Sequence, residues 1–372
     1  MKKLLFLFII LSYIFGNIYV FSHLYPLVEN SNTGTRLIFV GIVLVLTLSV
    51  FLFFTLGKKV PIYLASILYK IGTGWLMLSI YAFIFTIILD FVSFLNKSFI
   101  HSSSLLLVSY SFNQGVLLFL LIFISALIGF VNFKKKKRVE INITVDNKEV
   151  PKPIKIVFIS DLHLGYAIER KDLKKWVEII NSEHPDLILI GGDIIDFSLQ
   201  PVLYYKLHEV LQELSAKYGV YTCLGNHEYL SGVEKSIEFI KSSNITVLRD
   251  SIAEINELGI SLIGRDDRTN KSRKSLKALL HNNNADHISI LLDHQPYQLE
   301  VASNNGIDLQ LSGHTHRGQM WPISWITDYL FENSHGYLKK DKTTIYVSSG
   351  IGIWGGRYRI GTQSEYVVIN IK

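Results

Sequence analysis

Four long, nearly uncharged apolar stretches fill the first 133 residues, and they restrict the fold more than any other feature of the chain. They run from Leu4 to Phe21, Leu37 to Leu56, Trp75 to Leu95 and Gly115 to Phe133. Each approaches the ~20 apolar residues that carry a helix across a bilayer, where every backbone amide must be satisfied within its own segment. Four transmembrane helices are therefore expected. The last apolar tract begins earlier, at Leu105, but Asn113, Gln114 and Gly115 interrupt it. Its outer end is expected to pack against other helices or to lie at the interface.

Basic residues give the orientation, because short loops rich in lysine and arginine stay on the cytoplasmic side. Lys2 and Lys3 precede the first stretch; Lys58, Lys59 and Lys70 separate the second from the third; Lys134, Lys135, Lys136, Lys137 and Arg138 follow the fourth. The other two loops offer only Arg36 and Lys97. Both termini are expected to be cytoplasmic in a multi-pass protein of the cell membrane. A secretory signal at MKKLLFLFIILSYIFG would need small residues for cleavage, and the bulky Tyr13, Phe15, Tyr19 and Phe21 stand there instead. Cleavage would in any case leave the later spans oriented as before.

The formal net charge of +6 draws on the KKKKR run, a topology signal that also meets anionic headgroups. Membrane lipid is an expected partner and nucleic acid is not. A single cysteine, Cys223 within VYTCL, permits no internal disulfide, fits a reducing compartment and reads as a core residue.

Beyond Lys134 the mixture of apolar and charged residues is that of a soluble domain. The expected division is a transmembrane region over 1–133, a basic juxtamembrane linker over 134–152 that includes the strand-like VEINITV and ends in PKP, and a globular domain over 153–372. IKIVFIS and DLILIGG read as buried strands, and between them RKDLKKWVEIINS carries Leu173, Trp176, Val177 and Ile180 at helical spacing. That is a strand-helix-strand unit with a parallel pair. Further helices are expected near Val202 to Lys217 and Val233 to Lys241. Strands are expected at GVYTCL and near Ile245–Leu248, Ile260–Ile263, Ile288–Leu292, Ile307–Leu311, Thr344–Ser348 and Glu365–Ile371. A layered α/β or α+β fold with one extensive core follows.

Polar groups gather where these strands stop. Asp161-Leu162-His163 follows the first; Asp193, with Asp196 three residues on, follows DLILIGG; Gly225-Asn226-His227-Glu228 follows GVYTCL. Asp293-His294 follows ISILL, and Gly313-His314-Thr315-His316 follows IDLQLS. Ligands of open α/β sheets bind at the carboxyl ends of strands. Singly, each motif is ordinary turn chemistry. Together they hold five of the chain's twelve histidines; His23, His101, His184, His208, His281, His287 and His335 fall outside and receive no role.

This ordered set, D-x-H, GD-x-x-D, GNHE, a histidine before a proline-containing segment, and GHTH, resembles the calcineurin-like metallophosphoesterase superfamily from about Ile154 to the C-terminus. ISDLHLG, GHTHRGQ and VSSGIGIWGGRYRIG are similar to its bacterial subgroup of the YkuE and YaeI type. The resemblance implies a β-sandwich flanked by helices, preceded here by the membrane helices. It also implies one metal on Asp161, His163 and His316 and a second on Asn226, His294 and His314, with Asp193 bridging. Mixed imidazole, carboxylate and amide ligands suit Mn, Fe, Zn or Co better than Mg or Ca. Two such ions ~3.5–4 Å apart share a hydroxide and clamp phosphoryl oxygens.

By the same resemblance His227 stays free of metal, faces the leaving group and pairs with Asp196. Arg357 and Arg359 are candidates for bidentate contacts to substrate phosphate. Gly192, Gly225 and Gly313 would permit close turns around the ions. Arg317 stands where relatives often carry glycine, which bears on access to the site.

The expected activity is hydrolysis of a phosphomono- or phosphodiester by a metal-bridging hydroxide, on an amphiphilic lipid- or nucleotide-linked substrate. A non-catalytic interaction or sensor module would be expected to lack ligands, and none is missing. For a transport role the helices offer Asp90 as the one candidate charge.

Overall fold

The computed structural model of the chain describes residues 2–100, 110–145, 148, 151–282 and 284–372. Leu105, the outer start of the fourth apolar tract, lies outside them, as do residues 146, 147, 149 and 150 of the expected linker. The chain forms two compact units, Met1–Val131 with Gly355–Tyr358, and Asn132–Trp354 with Arg359–Lys372.

Four helices, α1 (Lys2–Leu24), α2 (Thr33–Leu56), α3 (Ile62–Leu95) and α4 (Phe112–Lys134), correspond to the four apolar stretches. All are long and apolar enough to cross a membrane. Val20, Phe21, Leu24, Trp75, Leu78, Ala82 and Leu118 form their shared core. Phe6, Phe54, Phe94 and Phe123 point outward, as side chains facing lipid do. At Gly72 the helices α2 and α3 approach so closely that a Cβ would meet the Val50 nitrogen at 2.4 Å, the small-residue contact by which membrane helices pack.

Two observations revise the sequence reading of this unit. Helix α3 starts at Ile62, not near Trp75, so Lys70 lies within it. Pro61 opens the helix, and Ile62, Ala65, Ser66 and Tyr69 bury one face at helical spacing. His23, given no role above, is buried, with its Nε2 3.0 Å from both Asp90 carboxylate oxygens. Tyr19 donates its hydroxyl to the same carboxylate. Pairing of this kind makes a carboxylate tolerable within an apolar bundle.

The second unit contains β1 (Lys136–Ile143), β2 (Ile154–Ile159), β3 (Leu187–Ile190), β4 (Val220–Thr222), β5 (Thr246–Val247), β6 (Ser251–Ile255), β7 (Ile260–Gly264), β8 (Ile288–Leu292), β9 (Leu309–Ser312), β10 (Gly336–Lys340), β11 (Thr343–Val347) and β12 (Ser364–Ile371). They form two six-stranded sheets, ordered β1-β12-β2-β3-β4-β5 and β10-β11-β9-β8-β7-β6. Ile156, Phe158, Leu187 and Leu189 of the first sheet share one buried core with Leu262, Ile290, Leu309 and Leu311 of the second, and Cys223 lies within it. The expected sandwich is therefore present. The central strands β2, β3 and β4 run parallel, as do β7, β8 and β9, so within each sheet their carboxyl ends share one edge.

The segment expected as a linker is instead structural at its start. Residues Lys136–Ile143 add β1 in parallel to β12, from Lys136 opposite Ser364 to Ile143 opposite Ile371. The helix expected over Val202–Lys217 is two short helices, Leu199–Tyr204 and Leu207–Leu211, broken where Lys206 takes φ +47°. Strands β6 and β10 and the helix Ile323–Leu330 were not expected. In β10, GYLKK, no residue is fully buried, so it lacks the apolar run that marks the central strands.

Candidate metal centre

Each candidate ligand stands just past a strand or on the turn that follows. Asp161 and His163 lie beyond β2, Asp193 beyond β3, Asn226 beyond β4, His294 beyond β8, and His314 and His316 beyond β9. The turns are tied to one another. The Asp161 N–H donates to Gly192 O and the His163 N–H to Asp193 O, each at 3.0 Å. Side chains bind neighbouring turns too: the His227 N–H donates to Asp193 Oδ1 (2.9 Å) and the His314 N–H to Asp161 Oδ1 (3.0 Å).

Five of the seven candidate ligands, Asp161, His163, Asp193, His314 and His316, have positive φ between +46° and +72°. Such backbone costs a side chain with a Cβ on the order of 1–3 kcal/mol, and it persists where the surroundings over-determine it, above all at functional sites. The glycines serve the same convergence. A Cβ on Gly225 would lie 2.1 Å from Asp193 Oδ1, and one on Gly313 would lie 2.3 Å from Asp161 Oδ2.

Two donor sets result. In the first, His163 Nε2 and His316 Nε2 face each other at 2.9 Å, with Asp161 Oδ1 3.8 Å from the former and 3.4 Å from the latter. In the second, Asp193 Oδ2 lies 3.1 Å from His294 Nε2, and His314 Nδ1 lies 2.9 Å from Asn226 Oδ1. Asp193 Oδ2 is also 3.8 Å from His163 Nε2, so it stands between the sets. Asp161, His163 and His316 form one metal-capable group, and Asp193, His294 and His314 another.

The donors fit cations. The His294 Nδ1 approaches Gly191 O at 2.6 Å and its Nε2 faces Asp193 Oδ2 at 3.1 Å; burial opposes a charge on the ring, but the Asp193 carboxylate raises its pKa well above the ordinary value, so a cation bound here would take the place of that proton. At most one proton can lie between the opposed Nε2 atoms of His163 and His316. Burial pushes the His314 pKa down to about 4, and the neighbouring His294 acts in the same direction. Burial likewise lowers that of His316, assisted by His163 and Arg359. Both rings are thus neutral near pH 7, with lone pairs available to a metal. Burial alone would raise the Asp193 carboxyl, but His294 beside it holds the carboxyl well below the usual range.

His227 and Asp196 also meet. The His227 Nδ1 lies 2.8 Å from the Asp196 carbonyl and 3.2 Å from its Oδ1. Burial works against a charged imidazole, but Asp196 and Asp193 outweigh it and raise the His227 pKa to about 9. Asp196 is shared more widely than expected, since its Oδ1 is also 3.4 Å from His163 Nδ1.

The two arginines are placed differently, and Arg359 requires correction. Arg359, expected to bind phosphate, is fully buried and donates to the carbonyls of His316 (2.9 Å), Ser349 (2.6 Å) and Gly352 (2.8 Å). It clamps the His316 turn to residues 349–352. Arg357 belongs to the helical unit, with its guanidinium 5.9 Å from the Phe130 ring centre. Nothing in RYRIG distinguishes an arginine that turns inward from one that faces a substrate.

Glu228 received no role from the sequence. Its buried carboxylate accepts the N–H groups of Asp193 (3.0 Å), Ile195 (3.0 Å) and Gly225 (2.8 Å), reaching back from the first turn of a short helix. The signal was its place three residues after Gly225, the reach-back position of a helix start. Glu228→Ala leaves three donors without that acceptor and is expected to cost about 3 kcal/mol or more. A thermal melt with and without added metal measures it.

The model of the family described as calcineurin-like phosphoesterase matches residues 154–318. An uncharacterised metallophosphoesterase of Campylobacter jejuni is 30% identical over 99% of this chain and 98% of its own length. The metallophosphoesterase YkuE of Bacillus subtilis is 31% identical over 59% of this chain and 79% of its own. A transmembrane protein with a metallophosphoesterase domain from Danio rerio is 29% identical over 70% of this chain and 63% of its own.

Proposed function

The chain belongs to the calcineurin-like phosphoesterases, and within that family of metal-dependent phosphoric ester hydrolases we propose that it is a membrane-anchored enzyme using two ions. The observation that carries the reading is the pair of donor sets meeting at Asp193. Asp161, His163 and His316 would hold one ion, Asn226, His294 and His314 the other, and Asp193 both. Mn, Fe, Zn or Co suits these donors. When bound, such ions supply Lewis acidity to the phosphoryl oxygens and acidify the attacking water.

The remaining roles fall to the protein's own groups. His227, its Nδ1 held by Asp196, presents Nε2 to the leaving alkoxide and gives it a proton. Glu228 and Arg359 keep the ligand turns in place through their backbone contacts. The distribution of Lys58, Lys59 and the Lys134–Arg138 run supports a cytoplasmic catalytic domain. Anchoring brings such a domain to amphiphilic phosphoesters, lipid- or nucleotide-linked.

The test uses the full chain in lipid nanodiscs, stripped of metal and reconstituted, with 4-nitrophenyl phosphate and bis(4-nitrophenyl) phosphate as mono- and diester. Turnover that Mn, Fe, Zn or Co restores and Ca does not is the expected result. Lack of turnover on both esters with every metal would overturn the proposal.

A further inference from the structure

A polar cavity of about 290 Å³ lies in the sandwich unit, and none of the seven candidate ligands lines it. Lys137 of β1 and Arg317, the residue after His316, both face it, together with Asn132, His335, Thr362 and Gln363. Both cationic side chains are exposed. Among the described residues, neither enters a salt bridge: Arg138 and Lys134 of the same run are paired with Glu183 and Asp172, whereas Lys137 is not. Two like charges lining one cavity, neither held in an ion pair, repel each other and gain from a shared anion.

Glu365 also lines the cavity but does not supply that anion. It is buried, and its carboxylate accepts from Tyr346 Oη (3.1 Å) and the Ser349 N–H (3.0 Å), with His335 Nε2 at 3.1 Å. Its carboxylate oxygens are thus already engaged by groups of the protein. His335, by contrast, brings a ring to the cavity wall already oriented by that carboxylate.

Arg317 is held there at a cost. Its backbone sits at φ +48°, ψ +41°, a conformation that glycine takes freely, and its N–H is fixed by Thr315 Oγ1 at 3.1 Å. What arginine adds at this position over glycine is a guanidinium reaching into the cavity. Asn132 lies in the last turn of α4 and Lys137 stands three residues beyond that helix's end at Lys134. Chain connection thus puts two of the lining residues at the cytoplasmic border of the last membrane-spanning helix, where anionic headgroups concentrate.

We propose that this cavity is an anion site for a phosphate group, presented by an anionic membrane lipid. The guanidinium of Arg317 and the ammonium of Lys137 engage the phosphate oxygens, and the polar side chains of Thr362, Gln363 and Asn132 surround the adjoining headgroup. The site stands apart from the metal cluster and does not depend on the phosphoesterase reading.

Native mass spectrometry of the full chain in a zwitterionic detergent tests it, with dioleoyl phosphatidylglycerol, dioleoyl phosphatidylcholine and glycerol 1-phosphate as probes. The preference for phosphatidylglycerol over phosphatidylcholine should fall about 10-fold or more in the double variant Lys137→Gln/Arg317→Gly. Lys135→Gln, in the same basic run but outside the cavity lining, should change it less than about threefold. If glycerol 1-phosphate affinity alone falls in the double variant, the phosphate site stands with a soluble ligand as its source. Equal affinities of wild type and double variant for both phosphate probes, or a Lys135→Gln loss as large as that of the double variant, would overturn it. Glycine relieves the backbone at position 317, so the double variant should melt no lower than wild type, and Lys137→Gln alone, at an exposed position, supplies a second measurement.

Discussion

Asp193→Ala is expected to lower kcat/KM by about 10³-fold or more and to strip both ions from the protein. No other candidate ligand stands between the two donor sets. Asp193 Oδ2 lies 3.1 Å from His294 Nε2 and 3.8 Å from His163 Nε2, while Oδ1 accepts the N–H of His227. The substitution therefore removes a donor from each set, leaves a backbone N–H without its acceptor, and deletes the charge that the surrounding imidazoles face. Asp161→Ala is the comparison. Asp161 belongs to one set only, so its loss should spare most of the ion held by Asn226, His294 and His314. Elemental analysis of the full chain after dialysis, paired with turnover of both nitrophenyl esters, separates the cases. Two ions per chain and undiminished turnover in Asp193→Ala would rule out the shared-ligand arrangement.

The difference between what could and could not be read in advance follows the range of the interactions. A run such as TRLIFVGIVLVLTLSVFLFF decides locally that a bilayer-crossing helix forms, so α2 was legible. The early start of α3 was not, because Lys70 and the Gly-Thr-Gly at 72–74 dilute the apolar signal that Tyr69, Ser66 and Ala65 restore only by packing. VEINITV looked like a strand, but its partner β12 lies at the other end of the chain, and nothing local announces that pairing. The same holds for His23 and Asp90, which meet only because α1 and α3 pack together. The convergence of the candidate ligands was legible for the opposite reason: each stands at its own strand end, and the order of five short motifs points to one place without knowledge of the contacts. Glu228 and Arg359 were missed as working parts because both act on backbone groups, and those partners leave no trace in side-chain spacing. Positive φ at Lys206 escaped for a simpler reason, since lysine carries none of the preference for that region that glycine and asparagine have.

His227→Ala should behave in the opposite way to Asp193→Ala, retaining metal while lowering kcat on an alkyl phosphoester by roughly 10²–10⁴-fold. The ring is oriented through Nδ1 by the Asp196 carbonyl and carboxylate, and the side chain remains about 21% exposed, which leaves part of it within reach of a substrate. With a pKa raised to about 9 it carries a proton at neutral pH. A proton donor matters in proportion to how poorly the leaving group departs without one. The loss should therefore be small for a 4-nitrophenyl ester, whose phenolate leaves unprotonated, and large for an alkyl ester of the same phosphate. A simple packing or positioning role would lower both by the same factor, and a uniform loss would exclude proton donation. Metal content discriminates a third arrangement. Ligand atoms of His227, His163 and Asp193 lie within 4.8 Å of one another, so His227 stands close enough to ligate. If His227→Ala lost an ion in step with its activity, His227 would have to be counted among the ligands and the proton would need another source.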